Sequence, residues 1–144
     1  MQISEEGLNL IKQHEGCRLR AYKCPAGIWT VGYGSTKGVK PWTEITQREA
    51  EIRLREDVKA AERTVEKVRY LQPKLNQNQF DALVSFVFNI GGGSFEKSTL
   101  RKKVLANPSD GEIRGEFGRW VNSGGRPLAG LQKRRQAEAE LYFK

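Results

Sequence analysis

One histidine, two cysteines and one methionine among 144 residues remove several kinds of chemistry at once. His14, Cys17 and Cys24 cannot furnish a usual zinc site without carboxylates, and no recognisable ligand spacing supplies them. There is no GxxxxGK[ST] loop, no GxGxxG opening a helix and no GxSxG elbow, so phosphate cradles, dinucleotide sites and hydrolase elbows have no support. Nothing asks for a cofactor. No apolar run approaches the roughly 18 residues of a membrane span, which argues against membrane insertion. The opening MQISEEGLNLIKQHEG is acidic and amphipathic and does not read as a signal peptide. Internal repeats and low-complexity stretches are missing as well.

What is present is a basic globular composition, with 38% hydrophobic and 29% charged residues and a net charge of +8. A chain of this length buries about two-thirds of its unfolded surface and should fold alone, most simply as a monomer. Residues 96–144 hold 11 Lys or Arg against six Asp or Glu, so the second half is the basic half. Such a face suits a polyanion, although a solvated surface of mixed sign is the ordinary alternative.

Helix signals punctuate most of the chain. Ser4 is placed to cap a first helix, with Glu5 and Glu6 in its first turn and Ile3 set to staple Leu8. Its apolar stripe runs Leu8, Ile11, Glu15 and ends at Gly16. Thr46 with Glu49 forms a capping box, and Leu54, Val58, Ala61, Val65 and Val68 continue one stripe toward Pro73. That pattern predicts a single rod within about 46–71, of about 24 residues and so about 36 Å long at about 1.5 Å per residue. Asn76 with Gln79 reads as a second box before Phe80, Leu83, Val84, Val87 and Phe88. Gly91, Gly92 and Gly93 are expected to break that helix, with Ser94 restarting a short one. Ser109 with Glu112 reads as a third box, and the turn NSGGRP leads into a last helix carrying Lys133, Arg134 and Arg135.

The segment EGCRLRAYKCPAGIWTVGYGST, from Glu15 to Thr36, differs from all of this. Residues 17–34 read as a small antiparallel sheet with a Pro25 and Gly27 turn, followed by a loop VKPWTEI. Strand alternation puts Ile28, Thr30 and Gly32 on one face, so Thr30 can point back toward Glu15. An acid, a thiol and a hydroxyl thus converge. A carboxyl drawn partly out of water resists ionisation, which is what a general acid needs near neutral pH. The bland alternatives are a helix-end carboxylate paired with a cation and an inert thiol beside a turn.

At these residues the chain resembles the phage-type lysozymes, endolysins that cut peptidoglycan glycan strands. That family's site is a Glu, eight residues, an Asp or in some members a Cys, five residues, then a Thr. Glu15, Cys24 and Thr30 fit without a gap, and the likeness continues through TEITQREAEIRLREDV, NQNQFDALVSFVFNIGGGSFEKSTL and RWVNSGGRPLAGLQKRR. The resemblance implies an α+β, two-lobed lysozyme-like fold: an N-terminal lobe of about 1–45 with the sheet, a connecting helix of about 46–71, and an all-helical lobe of about 72–144, with a substrate cleft between the lobes.

It further implies an inverting muramidase that hydrolyses the β-1,4 bond between N-acetylmuramic acid and N-acetylglucosamine and causes host lysis. Glu15, Cys24 and Thr30 would be catalytic, and Thr36, Phe88 and Ser98 would bind the glycan. A cleft position that is usually an amide falls on Arg114, a departure from the pattern, and Arg134 or Arg135 is a candidate partner for Glu15. Without an export signal, the protein is expected in the host cytoplasm until a holin opens the way to the periplasm. Cys24 in place of Asp leaves its role open: a thiolate favoured by Lys23 or another cation, a neutral group helping Thr30 hold water, or a nucleophile. A Cys17 to Cys24 disulfide acting as an off switch requires the intervening strand to collapse, because an extended strand keeps the two Cα atoms more than about 20 Å apart. The rivals are a catalytically silent wall-binding protein and a basic nucleic-acid binder; no nucleic-acid partner is expected.

Overall fold

The structure, a computed structural model, describes residues 1–144. It is mixed α and β, with eight helices and two small antiparallel sheets. The chain divides into two compact units, one formed by Ile11–Lys59 and the other by Met1–Leu10 with Ala60–Lys144.

The unit Ile11–Lys59 begins in the second half of α1 (Glu5–Glu15). Gly16 adopts a left-handed φ of 70°, which ends the helix and turns the chain into β1 (Arg18–Lys23). β1 pairs with β2 (Trp29–Gly32) through Tyr22 opposite Thr30 and Lys23 opposite Trp29, with an irregularity between Arg18 and Tyr22. The predicted loop VKPWTEI does more than connect. Its end lies along the free edge of β1, with Ala21 N–H donating to Thr43 O at 2.9 Å and Ile45 N–H to Leu19 O at 2.9 Å. Helix α2 (Gln47–Asp57) then packs on β2, burying Ala50 and Leu54, and its Thr46 and Glu49 capping box is reciprocal as the spacing requires.

The expected single rod over 46–71 is two helices, α2 and α3 (Lys59–Leu71). Val58 stands between them with ψ of −13°, and its N–H is shared between Leu54 O and Glu56 O. The stripe residues are nonetheless all buried, Leu54 and Val58 in one unit and Ala61, Val65 and Val68 in the other. Hydrophobic spacing reports which side chains face inward, and it is insensitive to one residue of altered ψ.

In the other unit, Ser4 caps α1 through Gly7 N–H at 3.4 Å. Buried Asp81 accepts from Ser4 N–H at 3.0 Å, from the Ser4 hydroxyl and from Gln77 Nε2 at 2.7 Å. Gly7 makes that approach possible, since a Cβ there would stand 2.8 Å from Asp81 Cβ. Helix α4 (Gln77–Ile90), capped by the predicted Asn76 and Gln79 box, is the core of this unit. Only Gly91, at φ of 91°, breaks it; Gly92 and Gly93 belong to α5 (Gly92–Glu96). A glycine lowers helix propensity without forbidding a helix.

Helix α6 (Thr99–Ala106) follows, and the third expected capping box does not form. Asn107 Oδ1 takes Ser109 N–H at 3.0 Å and Asp110 Oδ1 takes Glu112 N–H at 2.9 Å, so α7 (Ile113–Phe117) starts without a side-chain cap. Short Asn and Asp side chains compete with a box for the same amides. The NSGGRP turn forms a two-residue hairpin, β3 (Asn122–Ser123) with β4 (Arg126–Pro127), whose Gly124 and Gly125 take φ of 59° and 79°.

Helix α8 (Ala129–Tyr142) packs on α4. Phe86 stands edge-to-face against Phe95, Phe117 and Trp120, with centroids 6.2, 5.4 and 5.9 Å away. Beside this aromatic cluster lies a buried ionic one. Glu138 Oε2 receives the Ser85 hydroxyl at 2.5 Å, Arg135 Nη2 at 3.3 Å and Arg134 Nε at 3.4 Å, and its Oε1 pairs by charge with Arg135 Nε at 2.7 Å without a hydrogen bond, while Arg135 Nη2 also reaches Asn89 Oδ1 at 2.8 Å. Burial pushes the Glu138 carboxyl up, and the two guanidinium groups pull against that.

Candidate active site

Glu15, Cys24, Thr30 and Thr36 all belong to the unit Ile11–Lys59. Glu15 is half-buried at the end of α1, as its place on the apolar stripe requires. Gly34, with φ of 84°, passes close by, so that a Cβ there would lie 3.6 Å from Glu15 Oε2. A Cβ at that distance would be in ordinary contact, so it is the left-handed φ and not lack of room that favours glycine here.

Cys24 and Thr30 meet around Ile28. Cys24 N–H donates to Ile28 O at 3.0 Å, Gly27 N–H donates to Cys24 O at 2.8 Å, and Thr30 Oγ1 donates to the same Ile28 O at 2.9 Å. The turn 24–28 thereby folds its amides back toward the half-buried sulfur. The Ile28 amide chiefly lowers the Cys24 thiol below its ordinary range, opposed by partial desolvation and helped by the Ala26 amide and the Thr30 hydroxyl. Lys23 has no part in this; its ammonium lies over the Trp29 ring, 5.4 Å from the centroid. What lowers the thiol is a set of backbone amides and not a cation, the condition set for the thiolate role. Thr30 is 3% exposed and has one hydroxyl proton, so turning it from Ile28 O to the sulfur or to a water is a local choice.

Cys17 is exposed and contacts Gln47 Oε1 at 3.7 Å, and both thiols are free. The strand between them, Arg18–Lys23, is extended, the state in which the two cannot bridge.

Thr36 is exposed on the loop after β2. That loop rests on Arg53, whose Nη1 donates to Ser35 Oγ at 3.3 Å and Lys37 O at 3.1 Å. Neither Gly34 nor Arg53 stood out in the sequence; the run of glycines around Tyr33 was a signal for Gly34, and nothing marked Arg53 among the charges of α2. The remaining two candidates lie in the other unit. Phe88 is half-buried near the end of α4, off the core that takes Phe80, Leu83 and Val84. Ser98 is 4% exposed and caps α6, accepting Arg101 N–H at 3.1 Å and donating to Phe95 O at 2.6 Å. One of its lone pairs remains unused.

The unit Ile11–Lys59 thus holds a half-buried carboxyl, a half-buried thiol and a buried hydroxyl. Against protein families, residues 12–138 match the phage lysozyme model. This chain belongs to the phage lysozyme family. The family member is 48% identical over 146 residues to an endolysin from Acyrthosiphon pisum secondary endosymbiont phage 1, an alignment covering 99% of this chain and 98% of that one. A SAR-endolysin from Haemophilus phage HP1 is 35% identical over 97% of this chain and 80% of its own. Among solved structures, the endolysin of Escherichia coli O157:H7 phage FAHEc1 superposes with a TM-score of 0.90 at 36% identity, over 100% of this chain and 94% of that one. The lysozyme-like α+β fold is therefore established, and with it a lysozyme-type glycoside hydrolase that acts on peptidoglycan. The silent binder and the nucleic-acid binder are not favoured.

Proposed function

We propose that Glu15 is the general acid that protonates the glycosidic oxygen between N-acetylmuramic acid and N-acetylglucosamine, while Cys24 and Thr30 hold and activate the water that attacks the anomeric carbon. Attack by water on the face opposite the leaving group inverts the configuration. The observation that carries this reading is the turn at Ile28, whose carbonyl takes both Cys24 N–H at 3.0 Å and the Thr30 hydroxyl at 2.9 Å and so sets thiol and hydroxyl side by side, with the Ile28 amide lowering the thiol. A thiolate is a base where a neutral thiol is a poor one. Thr36, Phe88 and the unused lone pair of Ser98 are assigned to glycan binding.

The test is release of reducing ends from purified peptidoglycan under reducing conditions by wild type, Glu15→Gln and Cys24→Ser. Wild type should cut, Glu15→Gln should lose two to four orders of magnitude, about the worth of a general acid, and Cys24→Ser should be impaired. No release by wild type would refute the muramidase assignment. The anomer formed first separates water attack from a covalent thioglycosyl step, since retention is incompatible with a single inversion.

In the cell we assign the protein, as a monomer, to the host cytoplasm until a holin admits it to the periplasm. The relative named a SAR-endolysin marks the competing route of delivery. Lysis timing in a host lacking the holin decides between the two.

A further inference from the structure

Residues 17–43 contain Arg18, Arg20, Lys23, Lys37 and Lys40 and no Asp or Glu. Three of these cations are already engaged. Arg20 pairs with Glu44 at 3.6 Å, Arg18 lies 4.5 Å from the Tyr22 ring centroid, and Lys23 covers Trp29. Lys37 and Lys40 remain, on the loop that carries Trp42.

Trp42 is 79% exposed, an unusual position for the largest apolar side chain. It is not on a slack segment. Lys40 N–H donates to Thr43 Oγ1 at 2.8 Å and Thr43 N–H donates to Lys40 O at 3.0 Å, closing the turn reciprocally. One end of the loop is tied to β1 through Thr43 O, and the other to Arg53 through Lys37 O. The indole is thus held out in water by a fixed turn.

We propose that loop 37–43 is an interfacial anchor for an anionic lipid surface, with Trp42 at headgroup level and Lys37 and Lys40 on the lipid phosphates. An indole is favoured at a membrane interface because its ring takes the apolar side and its N–H the wet side. Lysines beside it add attraction to negatively charged headgroups, which falls with salt. A base of a single-stranded nucleic acid could also stack on the indole, but such sites line a basic groove with several aromatics for successive bases, and residues 37–43 carry one aromatic and two lysines. This is surface binding, in keeping with the finding that no helix is long and apolar enough to cross a membrane. It uses none of the residues assigned to glycoside hydrolysis, so either reading can fail alone.

The experiment is co-sedimentation with vesicles of equal parts phosphatidylglycerol and phosphatidylcholine against phosphatidylcholine alone, for wild type, Trp42→Ala and Lys37→Gln/Lys40→Gln. Wild type should bind the anionic vesicles and release with salt, and each variant should bind about tenfold more weakly. Brominated phosphatidylglycerol should quench a part of the fluorescence that Trp42→Ala no longer has. Reducing-end release by Trp42→Ala should equal wild type, which also certifies its fold. Equal binding to both vesicle types overturns the proposal. So does a Trp42→Ala protein that binds the anionic vesicles as wild type does, because the lysines alone then describe a general polyanion patch.

Discussion

The two units of the chain treat polar groups in opposite ways. The unit Met1–Leu10 with Ala60–Lys144 buries two carboxylates deeply and surrounds them with donors, Asp81 with Ser4 and Gln77, and Glu138 with Ser85, Arg134 and Arg135. The unit Ile11–Lys59 leaves Glu15 and Cys24 half-buried and spends backbone amides on the sulfur. A buried polar group fixes helices when every bond is made, whereas a reacting group must keep access to substrate and water. Stability and chemistry are therefore expected to respond to different residues.

The sharpest test of that division sets Glu15→Gln against Glu138→Ala. The first should cost about 3 to 5 kcal/mol in transition-state stabilisation and leave a folded protein by circular dichroism. The second should cost about 3 to 5 kcal/mol of unfolding free energy in urea, because two buried guanidinium groups lose their carboxylate. A folded, stable Glu138→Ala protein with no activity would break the comparison.

Gly7→Ala is smaller in chemistry and still expensive, at about 1 to 3 kcal/mol, since its Cβ meets Asp81 and Ile3 at 2.8 and 2.6 Å. A urea midpoint unchanged from wild type would mean that α1 and α4 can part without loss.

Tyr142 sharpens the comparison by pH. Burial, helped by the Asp110 charge, pushes its phenol well above the ordinary value, and its hydroxyl donates to Pro108 O at 2.7 Å. A raised folded value means that this stability is present below about pH 10, the unfolded phenol's range, and is lost as pH rises beyond it. Tyr142→Phe should cost about 1 kcal/mol at neutral pH and flatten the alkaline decline in melting temperature.

Cys24 shifts the other way. Its thiol sits below the ordinary range, so the thiolate's contribution is present above the unfolded value near about 8.5 and is lost as pH falls through the folded one. The rate of iodoacetamide labelling at Cys24, read in a Cys17→Ser background, should reach half-maximum below that value. Thr30→Val should move it upward, and an unchanged midpoint would remove the hydroxyl from the cradle. Least of all, mild oxidant should form no Cys17 to Cys24 bridge by peptide mass mapping, because the extended strand keeps the two thiols apart. A Cys17 to Cys24 bridge found by mass, with activity lost and restored by dithiothreitol, would show that β1 opens far enough to switch the enzyme.

Local signals were legible wherever neighbours in sequence carry the physics. Thr46 with Glu49 and Asn76 with Gln79 cap helices because box partners lie three residues apart, and the stripe from Leu54 to Val68 is buried because its period matches the helix. The box at Ser109 failed where Asn107 and Asp110 offered the same amides a nearer acceptor. The cause of the Cys24 shift was not legible either, since it depends on where a turn aims its N–H groups.

The sequence by itself determined the acid, thiol and hydroxyl spacing, the helical stripes and the shortage of metal-binding side chains, all of which are properties of residue identity and short separation. Tertiary structure alone decided that Gly34 passes Glu15, that Arg53 supports the loop carrying Thr36, and that Arg134, Arg135 and Ser85 share Glu138. Those contacts join residues from 3 to 53 positions apart, and most of them form only after the backbone has folded. Hydrogen bonds and charge act through space, over a few ångströms that sequence distance does not measure.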